Sequence, residues 1–281
     1  RCAFGLVRRG PSASSRGSTV SGVDVGTLQR LMARTWPGLE QDRLGQWELR
    51  AAGGFTGRAN SALPVGDPGM GLDEALDRVQ RWYRERGLAP RVQVPATLNG
   101  SPGPSDQVAE LCERRGWAAE PWTLVMVREL SATGPSRSDD LGRPALDLAW
   151  AREPDDAWLD VYHYRGSQLP ASARRVITAA PAWYLTARRQ GELVGIGRSA
   201  VAGGVVVLAA IEVVPAQRRR GFGAVITQAL ADRGADEGAM LSALQVFAHN
   251  EPAVRLYRGL GYADHHRYRY QYEREGSYGS A

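Results

Sequence analysis

Ile211-Glu-Val-Val-Pro-Ala-Gln-Arg-Arg-Arg-Gly-Phe-Gly-Ala224 is the stretch on which the reading of this sequence turns. It leaves an apolar segment, Val205–Val214, expected as a long buried strand, and enters a segment whose Phe222, Val225, Ile226, Ala229 and Leu230 share one helical face. A helix start leaves several backbone N–H groups without acceptors and carries partial positive charge, so it suits an anion. Gly221 and Gly223 let the main chain come close to such a group. Arg218, Arg219 and Arg220 add fixed positive charge and forked donors. Two other phosphate loops fit less well. A Walker loop needs Lys-Ser/Thr after its last glycine, where Ala224-Val225 stand, and a dinucleotide fingerprint needs three glycines and a later acid. Taken alone, the segment also admits a strand-to-helix turn with solvated arginines.

Working outward, Leu146–Arg152 predicts a strand, with helical stretches at Ala157–Tyr164 and Ala171–Ala179. Trp183–Arg188 and Leu193–Val201 form a hairpin around Gln190-Gly191. After the helix at Phe222, Leu244–Ala248 reads as a strand, Glu251–Leu260 as a helix and Tyr268–Tyr272 as a last strand. Upstream, Val23–Ala33 reads as a helix, and Trp47–Ala52 and Ala59–Val65 as strands about Gly53-Gly54. Leu72, Ala75, Leu76, Val79 and Tyr83 recur at helical spacing and Gly87 follows, an amphipathic helix with its stop signal. Arg91–Val94 is a strand, Gln107–Arg115 a helix ended by Gly116, and Thr123–Val127 a strand.

Strands alternating with helices imply an α/β fold with a mixed sheet. Residues 131–144, rich in Gly, Pro, Ser and charge and without apolar period, read as a linker. The order of elements on its two sides is similar, which suggests two copies of one domain, at 23–130 and 145–273. Residues 1–22 and 274–281 are expected as tails.

The two motifs of the downstream half resemble those of the GNAT (GCN5-related N-acetyltransferase) superfamily. Its acetyl-CoA signature, R/Q-x-x-G-x-G/A, is matched by Arg218-Arg-Arg-Gly221-Phe-Gly223. A second signature, N-x-x-A-x-x-L-Y-x-x-L-G-F/Y, is matched by Asn250, Ala253, Leu256, Tyr257, Leu260, Gly261 and Tyr262. The resemblance implies two tandem acyl-CoA N-acyltransferase domains and acetyl-CoA as co-substrate. It implies that the strand ending at Val213-Val214 splays from Leu244–Ala248, with pantetheine paired in the gap like an added strand.

On the same grounds Val213, Val214 and Arg218, Arg219, Arg220, Gly221, Phe222, Gly223 and Ala224 hold the coenzyme, and the Val213 N–H receives the thioester carbonyl. Asn250 caps the next helix and touches the pantetheine arm, or only caps. Tyr257 matches the general acid that protonates the leaving thiolate; the alternative is a core aromatic. Where some members carry a Glu base this chain has Gln245. Glu212 is the candidate base, directly or through water, against a buried structural carboxylate. Alternation points it away from the face of Ile211 and Val213.

The upstream half resembles a worn copy. Gly66-Asp-Pro-Gly-Met-Gly71 stands where a phosphate loop belongs; Asp67 repels a diphosphate and Pro68 removes a donor. Cys112 stands where the tyrosine is expected, so no coenzyme site is expected there. The layout is similar to that of bacterial tandem GNAT proteins, mycothiol synthases among them.

Composition narrows the partners. The chain has Cys2 and Cys112 only, which excludes a disulfide framework and fits a cytoplasmic setting. All 35 basic residues are arginine, and the formal charge is +5. Neither a basic stripe nor a nucleic-acid motif accompanies them, so no nucleic-acid partner is expected. No apolar run is long enough to span a membrane. His163, His249, His265 and His266 lack ligand spacing, so no metal is expected. The acceptor is an amine, on a small molecule or on a protein N-terminus or lysine, and Trp158, Trp183 and Tyr184 line its site or pack in the core. A coenzyme-binding scaffold without turnover is the alternative function.

Overall fold

The computed structural model describes residues 22–130, 145–163 and 169–274. The expected linker lies outside these residues, as do the expected tails apart from Gly22 and Arg274. α1 (Val25–Thr35) begins at Asp24, whose carboxylate accepts the Thr27 N–H at 2.9 Å. β1 (Glu40–Leu44) and β2 (Trp47–Ala51) form a hairpin of their own. β1 carries no apolar alternation and is exposed except at Leu44, which is why pattern reading passes it over. α2 (Leu72–Arg84), β3 (Arg91–Ala96), α3 (Asp106–Arg114), β4 (Ala118–Ala119) and β5 (Thr123–Glu129) follow.

After residues 131–144 come β6 (Asp147–Ala151), α4 (Asp156–Val161), α5 (Ala173–Ile177), β7 (Trp183–Arg189), β8 (Glu192–Ala202) and β9 (Val205–Val213). α6 (Phe222–Asp236), β10 (Leu241–Phe247), α7 (Glu251–Gly259) and β11 (Ala263–Tyr272) complete the chain.

One expected strand, Ala59–Val65, does not form. Its place is taken by a 3-10 turn, Gly57–Ala59, and two isolated bridges, Glu48 to Leu63 and Ala62 to Val92. The buried Asn60 side chain is the cause. It accepts from the Ala52 and Gly54 N–H groups (2.7 and 2.9 Å) and donates to the Phe55 and Thr56 carbonyls (2.7 and 2.9 Å). A side chain that closes a turn in this way competes with the ladder, and Pro64 lacks an N–H to give.

The main sheet has the order β3-β11-β5-β10-β9-β8-β7-β6, with β4 against β11. It is mixed: β9 and β10 are parallel and the other pairs antiparallel. It does not stop at residues 131–144. β5, from upstream, lies between β10 and β11 and pairs with both, and β3 covers the far side of β11.

Alternation assigns the two faces. Val206, Leu208, Leu244 and Met126 pack with Ile226, Leu230 and Val254 of α6 and α7. Val205, Val207, Leu241, Ala243, Val125 and Val127 pack with Leu28 and Met32 of α1. Central strands buried on both faces read as continuous apolar runs, as β9 does. α6 lies close to the sheet where glycines allow it. A Cβ on Gly234 would stand 2.4 Å from Val206, and one on Gly197 2.5 Å from Leu230.

A buried polar chain ties α1 to β11. Arg50 donates to Gln93 (3.0 Å) and Gln93 to Gln29 (3.0 Å). The Gln29 amide therefore presents its NH2 to His266 Nε2 (2.7 Å). His266 then carries its proton on Nδ1, facing His265 Nδ1 at 2.8 Å, and His265 Nε2–H meets the Val23 carbonyl at 2.9 Å. The permanent charge of Arg50 fixes every donor along the line. Among the described residues no helix is long and apolar enough to cross a membrane.

Candidate active site

β9 pairs with β10 only from Val205–Leu241 to Leu208–Leu244. Beyond that a bulge intervenes: the register of β9 against β8 shifts between Ile196 and Arg198, and Ala210 sits at φ +51°. A bulge bends its strand and ends the pairing. The two strands then diverge, and the gap between them is a cavity of about 360 Å³. Leu208–Glu212 form one wall and Leu244–Phe247 the other, with Asn250, Ala253 and Tyr257 of α7 alongside.

Two of the expected catalytic groups line this gap. Tyr257 belongs to the core on the α6 side, together with Ile211 and Val213. Burial pushes its phenol well above the ordinary range, so the proton stays on at neutral pH. Its ring meets Tyr262 edge-on, at 6.1 Å between centroids. Glu212 alternates onto the other face of β9, where it accepts the His163 N–H at 3.0 Å. Burial raises its pKa, against the pull of that hydrogen bond and of His163 and Arg218. A proton donor and a proton acceptor thus stand at the gap from opposite faces of the sheet.

Val214 N–H donates to the Val194 carbonyl at 2.9 Å. In an antiparallel ladder the adjacent residue turns its own N–H and C=O the other way, so those of Val213 point from β8 toward the gap. The carbonyl takes the Arg218 Nε at 3.0 Å. Among the described residues no strand pairs with Val213 on that side, because the β10 ladder has ended at Leu244.

The glycine–arginine loop follows at the exposed rim and is not part of the cavity wall. A 3-10 turn at Pro215–Gln217 leads to Arg219 at φ +65° and Gly221 at φ +82°, the left-handed cap of α6. Ala224 N–H is already engaged by the Gly221 carbonyl at 3.0 Å. The Phe222 and Gly223 N–H groups are left without an acceptor inside the helix. The Phe222 side chain is buried, so only its main chain can meet a ligand. Arg218, Arg219 and Arg220 are exposed, with Arg220 donating to Gln217 at 3.1 Å. Gly223 abuts α7 and β9: an added Cβ would lie 3.3 Å from Leu256 and 3.9 Å from Val213. Asn250 caps α7, accepting the Ala253 N–H at 3.3 Å, and also lines the cavity.

Other groups fall elsewhere. Gln245 lines the cavity on the α1 side and accepts from the Tyr268 hydroxyl at 2.7 Å; an amide there cannot take a proton from an ammonium. Trp158 and Tyr184 are core residues; the Trp158 indole reaches Gly197 O at 3.3 Å and the Tyr184 hydroxyl Ile177 O at 2.8 Å. Trp183 stacks under Arg152 at 3.6 Å. None of the three lines the cavity. His265 and His266 are held in the buried polar chain, and His249 stacks on Phe247. Among the described residues no three His, Cys, Asp or Glu cluster as metal ligands do. Sequence reading missed Arg58, Thr123, Tyr162, Tyr268 and Tyr270 as wall residues. Arg58 and Thr123 come from upstream of residue 131, and no local pattern reports that they meet β9 and α7.

In the upstream half, Asp67 accepts the Gly69 N–H at 2.7 Å and Trp47 donates to the Gly66 carbonyl at 2.9 Å. Cys112 is buried in the core, where desolvation pushes its thiol up to about 12.

Known proteins resemble this chain in sequence and in fold. The family model described as "Probable histone acetyltransferase Rv0428c C-terminal" covers residues 23–271. The probable histone acetyltransferase Rv0428c of Mycobacterium tuberculosis is 32% identical over 252 residues, 86% of this chain and 72% of that protein. The uncharacterized N-acetyltransferase YobR of Bacillus subtilis is 27% identical over 251 residues, 86% of this chain and 97% of its own length. The structure of a GCN5-related N-acetyltransferase from Kribbella flavida superposes with a TM-score of 0.66 at 17% identity, over 90% of this chain and 96% of that one. The chain belongs to the Rv0428c C-terminal family, within the GNAT N-acetyltransferases.

Proposed function

We propose that the protein transfers acetyl from acetyl-CoA to a primary amine by direct attack, with both substrates bound together in the gap between β9 and β10. The observation that carries this reading is the divergence of those strands after Leu208 and Leu244, with Tyr257 and Glu212 facing the space it opens. The coenzyme supplies an activated acyl group and a thiol leaving group; the residues around the gap have the donors to hold it. The Phe222 and Gly223 N–H groups and Arg218–Arg220 meet the diphosphate, and the main chain of Val213-Val214 meets the pantetheine arm. Asn250 adds a side-chain contact beside the helix it caps.

Each proton then has a place. Glu212 takes the proton that the incoming ammonium must lose, and its raised pKa brings it nearer to neutral pH, where a base works best. The Val213 N–H meets the negative charge that develops on the carbonyl oxygen. As the C–S bond breaks, Tyr257 gives its proton to the thiolate, and burial keeps that proton in place until then.

The test is release of CoA thiol over a panel of amines. Tyr257→Phe is expected to lower kcat about 100-fold while acetyl-CoA affinity is kept. Gly221→Val places a β-branched residue at φ +82° and is expected to abolish acetyl-CoA binding in a folded protein. If acetyl-CoA binds and no amine supports thiol release, a coenzyme-binding module without turnover takes the place of this reading.

A further inference from the structure

The hairpin between β7 and β8 ends beside the start of α6 and carries a cation there. Gln190 and Gly191, at φ +52° and +82°, close it as a two-residue turn with both central residues left-handed. So tight a turn leaves the backbone on either side little freedom, which fixes the base of Arg189. The neighbouring Arg188 is engaged by the turn itself and donates to the Gly191 carbonyl at 3.1 Å. Arg189 is not. Its guanidinium carbon lies 5.8 Å from the centre of the Phe222 ring, and Phe222 is the first residue of α6.

Arg189 is exposed, and that ring is the one described contact of its guanidinium. Glu192 faces it across the ladder and forms no ion pair with it, and among the described residues no other carboxylate or carbonyl takes its N–H groups. A guanidinium resting on an aromatic face keeps its in-plane N–H donors open to a further partner.

Its surroundings set the sign of that partner. The Phe222 N–H, one side chain's length from the Arg189 guanidinium, is among the donors left without an acceptor at the helix start, where partial positive charge gathers. Arg218, Arg219 and Arg220 lead into the same helix, and among the described residues none of the four guanidiniums forms an ion pair. Like charges gathered in this way favour an anion that carries several charges. Acetyl-CoA is such an anion: it has a diphosphate and, on its ribose, a phosphomonoester with close to two charges at neutral pH.

We propose that Arg189 binds a phosphate of the coenzyme, as a ligand supplied by the β7–β8 turn and lying outside the glycine–arginine motif. This rests on the coenzyme's diphosphate lying at the start of α6.

The test is calorimetric: CoA and 3′-dephospho-CoA are titrated at low salt into the full chain and its variants. Arg189→Gln is expected to bind CoA about 10-fold more weakly, the size of one charge-assisted hydrogen bond. Arg189→Lys recovers part of the loss, because an ammonium keeps the charge without the fork. Arg188→Gln removes the same charge one position away and is expected to bind CoA as the wild type does. A loss seen with CoA and absent with dephospho-CoA assigns Arg189 to the ribose phosphate, and an equal loss with both assigns it to the diphosphate. Unchanged CoA affinity in Arg189→Gln, or an equal loss in Arg188→Gln, overturns the assignment while the coenzyme site at α6 stands. A wild type that binds neither CoA nor dephospho-CoA overturns both readings.

Discussion

His266 is expected to make folding stability depend on pH in a window set by its own burial. The ring is fully buried and its pKa is pushed down to about 3, first by desolvation and then by neighbouring His265. Its Nε2 accepts from Gln29 and its Nδ1 faces His265, in a chain whose far end is the fixed charge of Arg50. A second proton on the ring would set two donors against each other at Nε2. The unfolded chain, with a histidine near its ordinary 6.5, takes up that proton readily. Acid therefore favours unfolding: the contribution is whole above pH 6.5 and is lost as pH falls toward 3. With those two values the loss between pH 8 and pH 5 is about 2 kcal/mol, from about 1.4 kcal/mol per unit over the 1.5 units below 6.5. Urea unfolding at pH 8, 7, 6 and 5 measures it. The comparison is His266→Asn, which keeps a donor and an acceptor but does not titrate. The variant is expected to be less stable at pH 8 and to lose about 2 kcal/mol less than the wild type on going to pH 5. Parallel losses in the two proteins, or a His266 imidazole that titrates by NMR above pH 5 in the folded state, refute the reasoning.

Glu212→Gln is expected to lower kcat and to flatten the acidic limb of the pH–rate profile, because the wild-type base is lost as pH falls through its raised pKa. An unchanged limb assigns the proton to another group. Gly234→Ala sets two effects against each other. Alanine gains about 1 kcal/mol in helix propensity. Its Cβ, however, would stand 2.4 Å from Val206, and overpacking of that kind costs about 1–3 kcal/mol. A lower Tm is expected; a higher one shows that α6 can lift from the sheet. A truncated chain of residues 145–281 lacks β5 and uncovers the edges of β10 and β11 that β5 joins. It is expected to aggregate or stay unfolded in a soluble-expression and CD assay, and a folded monomer refutes the shared sheet.

Part of the candidate site was legible from residues close together in the chain. The Arg218–Gly223 loop, the Asn250 cap and the Tyr257 position lie within motifs whose spacing is local, and local geometry is what periodicity and turn chemistry report. The side of β9 on which Glu212 falls followed from alternation past Ile211 and Val213. The failures have a common form. Ala59–Val65 has the composition of a strand, yet Asn60 gathers four main-chain partners into a turn. β1 is a strand because β2 is there to pair with it.

The sequence by itself determined which segments are helix and strand over most of the chain and which family's motifs are present. Only the tertiary structure decided that β5 lies between β10 and β11, that a bulge at Ala210 opens the gap, and that Arg58 and Glu212 both line it. The reason is one of range. A segment's own period encodes which of its faces is buried, whereas the neighbour that buries it is chosen by pairing across a hundred residues or more. Gln29 meeting His266 and Arg58 entering the wall of β9 and β10 are outcomes of that choice.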